Sequence, residues 1–372
     1  MTLNASHDPL VIERKESRGH DWGMLLTAAL LLAVGIFSLA SIDNARGTVF
    51  ASRQMIFAAL GMVVFFIFNR IKLATFRAMA PVLYGANILV LVATLLVGKS
   101  RGVTSRWIDI GPFQFQPSEI SKLLLALTLA TYFANREDKM DELGTYLGAL
   151  LHAAPILALI LLQPHLGATV ALLFLLLSVA IAAGVPWKYF PATLAILVAV
   201  GGIAWFTPKV MPPYMRARVE AQIDKFVGGD HDPRGKDYQQ WQSKMAIGSG
   251  GATGEGFFRG EQKAAGVIPV QEADFIFSVI GEEGGFFGSC LVLSLYGAFF
   301  FFVWRRGFMA QTLMGRSVAV GLMAVLGFHT VANLAMVIGF GPVVGLWLPF
   351  MSHGGTSLWM CMGALGLLDQ CE

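Results

Sequence analysis

The chain has 372 residues, of which 55% are hydrophobic and 14% charged, with a net charge of +3 and a mean hydropathy of +0.63. Soluble domains carry about 25% charged residues, so too few are present here to cover a water-facing surface, and the chain reads as an integral membrane protein. The near-neutral balance, without any basic run, excludes a nucleic-acid partner, and Cys290, Cys361 and Cys371 lack metal-ligand spacing.

Residues 1–21 are polar and mixed in charge, which predicts an N-terminal segment outside the membrane. No small-residue cleavage site follows the first apolar run, which reads as a retained span. Stretches able to cross about 30 Å of hydrocarbon are predicted at 22–42, 54–69, 77–98, 118–135, 145–163, 166–184, 189–206, 273–304, 317–340 and 344–368. The predicted fold is therefore one all-α polytopic membrane domain over 1–372, with about ten transmembrane helices and a large loop at 207–272. The eighth stretch is overlong and contains Glu282, Glu283, Gly284 and Gly285, which predicts a tilted or broken helix. Lys and Arg gather on one side, among them Arg14, Lys15, Arg18, Arg70, Lys72, Arg77, Arg136, Lys139, Lys188, Arg305, Arg306 and Arg316. That bias predicts cytoplasmic termini and an extracytoplasmic 207–272 loop.

Polar residues with chemical potential then collect at the outer ends of the spans. Arg106-Trp107 leads through Phe113-Gln114-Phe115-Gln116 to Pro117, Ser118 and Glu119. Aromatics alternating with Gln suit a segment lying at the interface, and Pro117 followed by Glu119 predicts a helix start. Free N–H groups there would face outward as an anion site, with Lys122 on the same face as Glu119. An interfacial anchor with a local ion pair accounts for the same pattern.

The turn Gln163-Pro164-His165-Leu166-Gly167 places a histidine near the membrane surface, either as a proton carrier or as a hydrogen-bonded turn residue. The 207–272 loop holds apolar anchors such as Tyr214, Trp241 and Phe257, and cations such as Lys209, Arg216, Lys244 and Lys263, so it is not a solvated linker. Its run Gly248-Ser249-Gly250-Gly251 continuing to Gly256 suits either an anion-wrapping backbone or a hinge. It lacks the order of a Walker loop, which excludes an ATP site. Asp274 is the sharpest residue. It opens the eighth stretch among Ala273, Phe275, Ile276 and Phe277, where a charge costs up to roughly 2.5–3.5 kcal/mol. It reads as a general base for a hydroxyl or as a helix-capping Asp. Glu282 and Glu283 are predicted to face the bundle interior, and His329, Asn333, Ser352 and His353 to serve helix packing.

Taken together these residues resemble the shape, elongation, division and sporulation (SEDS) family. The likeness rests on five stretches in the family's order: Arg106-Trp107 to Lys122, Gln163 to Gly167, Gln242-Ser243-Lys244 to Gly251, Asp274-Phe275-Ile276-Phe277 to Glu282-Glu283, and Gly341-Pro342 to Ser352-His353-Gly354-Gly355. Gln242-Ser243-Lys244 resembles the elongation branch more than the division branch. The resemblance implies a peptidoglycan glycosyltransferase of the bacterial plasma membrane that polymerises lipid II, with its site on the outer face. It implies Asp274 as the catalytic carboxylate, and Arg106, Gln116, Glu119, Lys122, Lys244, Gly248, Ser249, Gly250, Gly251 and Glu283 around the substrate. As partners it implies a class B penicillin-binding protein, other membrane proteins of the elongation complex, and membrane lipid. A divalent cation, magnesium or manganese, suits a pyrophosphate leaving group, although no ligand cluster in the sequence specifies one. The chain departs from the family pattern at His165, where Asp is usual, at His353, where Tyr is usual, and at Pro269-Val270-Gln271-Glu272-Ala273 before Asp274. Two other readings share some of these features: a flippase for the same lipid, which would favour midplane charges, and a non-enzymatic scaffold, which has no use for Asp274.

Overall fold

A computed structural model describes residues 19–101, 104–110, 113–163, 165–206, 238–343 and 345–371, with Arg216 and Glu220. Much of the 207–272 loop, Pro164, and the N-terminal arginines and lysine at 14, 15 and 18 lie outside the described residues.

In chain order the helices are α1 (Trp22–Arg46), α2 (Phe50–Arg70), α3 (Leu73–Val97), α4 (Pro117–Ala134), α5 (Leu143–Leu162), α6 (Leu166–Ala183) and α7 (Phe190–Trp205). They continue with α8 (Tyr238–Ser249), α9 (Glu261–Ala265), α10 (Gln271–Asp274), α11 (Ile276–Met309), α12 (Leu313–Val337) and α13 (Gly355–Leu368). Seven of these are long and apolar enough to cross a membrane: α1, α2, α3, α5, α6, α11 and α12. The predicted fourth, seventh and tenth spans appear as α4, which carries Glu119 and Lys122, and as the shorter α7 and α13. The chain is a polytopic helical membrane protein.

α13 lies along α2, α12 along α6, and α1 along α11. Small residues let these backbones approach: a β-carbon on Gly366 would stand 2.5 Å from Phe65 O of α2, and one on Gly35 2.6 Å from the Met351 backbone.

Three elements differ from the sequence expectation. First, the segment read as an interfacial anchor is a small antiparallel sheet of β1 (Lys99–Arg101), β2 (Thr104–Ile110) and β3 (Phe113–Phe115), with Ile108 opposite Phe115 and Asp109 opposite Gln114. The alternation of aromatic and polar residues is a strand period. Second, the 344–368 stretch is not one helix. At about 1.5 Å per residue the 14 residues of α13 fall short of a bilayer, and the chain before it, 345–354, is irregular and mostly buried. Non-helical backbone survives at that depth because protein surrounds it and meets its polar groups. Third, α11 begins at Ile276, beyond Asp274; its break at Gly285 (φ 61°, ψ −156°) lies where the sequence predicted a tilted or broken helix.

That break has a splint. Gly251 O and Ala252 O accept from the Phe286 and Phe287 N–H groups at the start of the second half. The Glu255 and Gly256 N–H groups donate to Glu282 O and Glu283 O at the end of the first half. The glycines are needed for contact: a β-carbon on Gly254 or Gly285 would collide with the opposing backbone, and both have positive φ.

Candidate active site

Asp274 ends α10, and the scaffold holds it through main-chain carbonyls. His353 N–H donates to Glu272 O at 2.9 Å, Ser352 Oγ donates to Ala273 O at 2.5 Å, and Asn333 Nδ2 donates to Asp274 O at 2.7 Å. Three successive carbonyls are thus taken by one side chain of α12 and by the irregular segment. Asn333 also reaches Leu346 O at 2.6 Å, and Ser352 Oγ accepts from Leu348 N–H at 2.7 Å. Asn333 and Ser352, expected to serve general helix packing, therefore have a narrower job: they fix α10 against 345–353. The Asp274 side chain is half-buried, and its Oδ2 lies 3.5 Å from where a β-carbon on Gly345 would stand. Glycine at 345 (φ 65°) leaves that space open.

Below this point lies a sealed charge cluster. Lys122 Nζ donates to both Glu119 oxygens at 2.8 and 2.7 Å and meets His329 Nε2 at 2.8 Å. Trp347 Nε1 donates to Glu119 Oε2 at 3.0 Å, while its ring stacks on His329, centroids 4.1 Å apart. Lys122 is 0% exposed and Glu119 1%. Lys122 was expected to hold phosphate with Glu119 orienting it; the two form the local ion pair that the sequence also offered, and clamp α4 to α12 and to the irregular segment. The N-terminus of α4 is likewise no open anion site, because Pro117, Ser118 and Glu119 are buried and Gln116 N–H is met by Thr356 Oγ1 at 3.1 Å.

Arg106, by contrast, remains half-buried at the edge of β2, its Nε donating to Gln163 O at 3.0 Å. Gln116 Nε2 and Ser118 Oγ lie 3.4 and 3.3 Å from His165 Nδ1. Burial, with Arg106 and Lys122 adding to it, pushes the His165 imidazole well below its ordinary range, so it is neutral at pH 7 and acts here as a hydrogen-bonded turn residue.

Lys244 sits exposed on α8, its side chain lying across Gly339. α8 is docked by Gln240, whose Nε2 donates to Met336 O and Gly341 O at 3.0 and 2.6 Å, and by Ser243 Oγ, which donates to Val337 O at 2.8 Å. Lys244 and Asp274 thus both border the segment following α12. Gly248 and Ser249 are exposed at the end of α8, and Gly250 and Gly251 begin the splint. The splint gives Gly250 and Gly251 a structural role, where the sequence offered an anion-wrapping backbone or a hinge. An apolar groove of about 650 Å³ opens nearby between α6 and α12, with Gly167, Phe328 and Pro342 on its walls.

Glu283, expected near the substrate, is buried and ion-paired with Lys263. Ser41 Oγ donates to Glu283 Oε1 at 2.6 Å, and Lys263 Nζ donates to Ser41 Oγ at 2.6 Å. The Glu282 carboxylate accepts from the N–H groups of Gln262 (2.6 Å) and Lys263 (3.1 Å) at the start of α9. Both glutamates face the interior, as expected. The partners Ser41 and Lys263 were missed, because no local pattern joins positions 222 residues apart. Among the described residues no group of three or more His, Cys, Asp or Glu side chains could hold a metal ion.

A family profile described as "Cell cycle protein", covering FtsW, RodA and SpoVE, matches residues 21–372. The chain belongs to this family. It is 34% identical over 346 residues to the peptidoglycan glycosyltransferase MrdB of Escherichia coli K12, covering 91% of this chain and 90% of that protein. It is 33% identical over 363 residues to a probable peptidoglycan glycosyltransferase FtsW of Trichlorobacter lovleyi, covering 94% and 92%. Among solved structures it matches a chain from a study of the structural coordination of polymerization and crosslinking by a peptidoglycan synthase complex, with a TM-score of 0.79, 30% identity, and 95% and 97% of the two chains covered. It also matches the Thermus thermophilus rod shape determining protein RodA, with a TM-score of 0.70, 28% identity, and 95% and 96% covered. Like its curated relatives in the family, the chain is a glycosyltransferase.

Proposed function

We propose that the chain polymerises lipid II into peptidoglycan strands on the outer face of the bacterial plasma membrane, with Asp274 as general base. The observation that carries this reading is the backbone cradle of α10, in which three consecutive carbonyls are held from α12 and the irregular segment. Such a cradle fixes the main chain that carries the carboxylate, and so sets where the carboxylate stands. In the proposed step Asp274 takes the proton of the acceptor sugar's 4-hydroxyl. The resulting oxygen attacks C1 of the donor sugar, the C1–O bond to the pyrophosphate breaks, and undecaprenyl pyrophosphate leaves with the bonding electrons. Arg106 and Lys244 supply cation character for that leaving group, Gln116 supports the turn at His165, and Glu119 with Lys122 braces the floor. The groove between α6 and α12 would take a polyprenyl chain. A divalent cation would travel with the pyrophosphate, because no group of three or more His, Cys, Asp or Glu side chains among the described residues could hold it.

Both termini are assigned to the cytoplasm and the 207–272 loop to the outside on the basis of the Lys and Arg bias. The likeness to a chain of a synthase complex that polymerises and crosslinks supports a class B penicillin-binding protein as partner, beside other membrane proteins of cell elongation. The test is polymerisation of lipid II by the full chain with its transpeptidase, whose crosslinking is blocked, comparing wild type with Asp274→Asn. Glycan strands from wild type alone support the reading. Strands from both would move the base elsewhere, and strands from neither, in a folded complex, would favour a flippase or scaffold.

A further inference from the structure

The end of the bundle opposite Asp274 carries a second constellation. α1 enters it at Trp22 and α2 leaves it at Arg70, whereas the far end of α1 meets α10 through Arg46 Nη2 and Gln271 Oε1 at 2.5 Å. α11 likewise runs from the Asp274 end to Arg305 and Arg306. Two carboxylates here are already engaged. Asp21 pairs with Arg305 at 2.7 Å and Arg306 at 3.6 Å. Asp369 accepts from Asn69 Nδ2 at 2.9 Å and from Asp21 N–H at 3.0 Å, meets His20 Nδ1 at 2.6 Å, and pairs with Arg306 at 3.4 Å. Arg70 and Lys72, on the rim, have neither an ion pair nor a side-chain hydrogen bond among the described residues, and both are exposed. They line a polar pocket of about 420 Å³ with Asn69, Asp369 and Gln370.

A second cavity, of about 440 Å³, adjoins it. Trp22 and Leu26 of α1, Met62 and Phe66 of α2, and Met362 and Leu365 of α13 form its walls. His20 lines both cavities, so an apolar slot along three helices ends in a cationic cup. Trp22 is 73% exposed beside that junction, where indole side chains sit at headgroup level.

We infer that this pair of cavities is a binding site for an anionic phospholipid, its acyl chain in the slot between α1, α2 and α13 and its phosphate against Arg70 and Lys72. Charge complementarity selects the occupant. A zwitterionic lipid brings its own cation to a cup in which Arg70 and Lys72 have no ion pair among the described residues, whereas an anionic headgroup matches them. The site is separate from the chemistry, being at the other end of the helices, and needs no assumption about the reaction.

The test uses the full chain, purified in detergent, stripped of lipid and supplied with phosphatidylglycerol or phosphatidylcholine, with bound lipids counted by native mass spectrometry. Wild type should retain phosphatidylglycerol about tenfold more tightly than phosphatidylcholine, given that each basic residue near an anionic surface contributes measurably. Arg70→Gln with Lys72→Gln should abolish that preference without lowering the melting temperature, since neither side chain is packed. Ala29→Trp, which fills the slot from its exposed wall, should weaken retention of both lipids. Equal retention of the two lipids by wild type, or a preference unchanged in the double variant, overturns the assignment. Displacement of phosphatidylglycerol by inorganic phosphate alone, with the Ala29→Trp variant binding normally, would replace it with a free-anion site.

Discussion

Two kinds of carboxylate lie within one protein. Glu119 and Glu283 are almost completely buried, and each is matched by a lysine that is itself 0% exposed, Lys122 and Lys263 respectively. Asp274 is half-buried, and what the fold grips is its main chain. Charges sealed in pairs hold elements together, whereas a half-buried carboxylate on a gripped backbone stands where the proposed base is needed.

Substitution should separate the two kinds. Asp274→Asn is expected to lower polymerisation by a hundred-fold or more while leaving detergent-phase thermal unfolding unchanged; a parallel loss of stability would make Asp274 one more structural charge. Lys263→Met should do the reverse, costing about 3–5 kcal/mol of stability by stranding Glu283, and Lys263→Met with Glu283→Leu should recover most of it in the same unfolding assay. If the single variant melts like wild type, the pair is not a brace. Asn333→Ala removes the donor to Asp274 O and Leu346 O. It should reduce kcat roughly ten- to a hundred-fold by loosening the base with KM nearly constant, and an intact kcat would dismiss the backbone cradle as the source of orientation.

The smallest effect concerns pH. His165 has its pKa lowered by burial, so as pH falls below about 6.5 the unfolded chain takes up a proton that the folded chain refuses. Stability contributed at this site is therefore full above about pH 6.5 and declines on acidification. His165→Asn should flatten the decline in unfolding curves recorded between pH 5 and pH 7, and an unaltered slope would mean that the ring is solvated.

Elements governed by local chemistry were legible in the sequence. Pro117 at a helix start marks the beginning of α4 to the residue, and the paired glycines after Glu283 announced the break in α11. The inward orientation of Glu282 and Glu283 followed from the cost of charge in lipid. What escaped was non-local. Nothing near Lys263 points to Ser41, and nothing near Lys122 points to His329 and Trp347, because the elements that join them are distant in sequence. The irregular segment escaped for another reason: Leu346, Trp347, Leu348, Phe350 and Met351 are as apolar as any span, and hydropathy does not register that Pro349 and Gly345 interrupt a helix. The three-residue β3 was too short for its alternation to outweigh its aromatic content.

The splint across Gly285 constrains how this architecture can be recombined. Its hydrogen bonds run from backbone to backbone, so surface side chains on either partner can vary freely without loosening it. The fit depends on bare glycines at 254 and 285 facing one another's main chains. A chimera that imports the loop from a relative, or the kinked helix alone, would bring together two halves shaped for different counterparts. Exchange between family members is expected to succeed only when 250–287 moves as one block, a unit of inheritance that neither the loop nor the helix defines by itself.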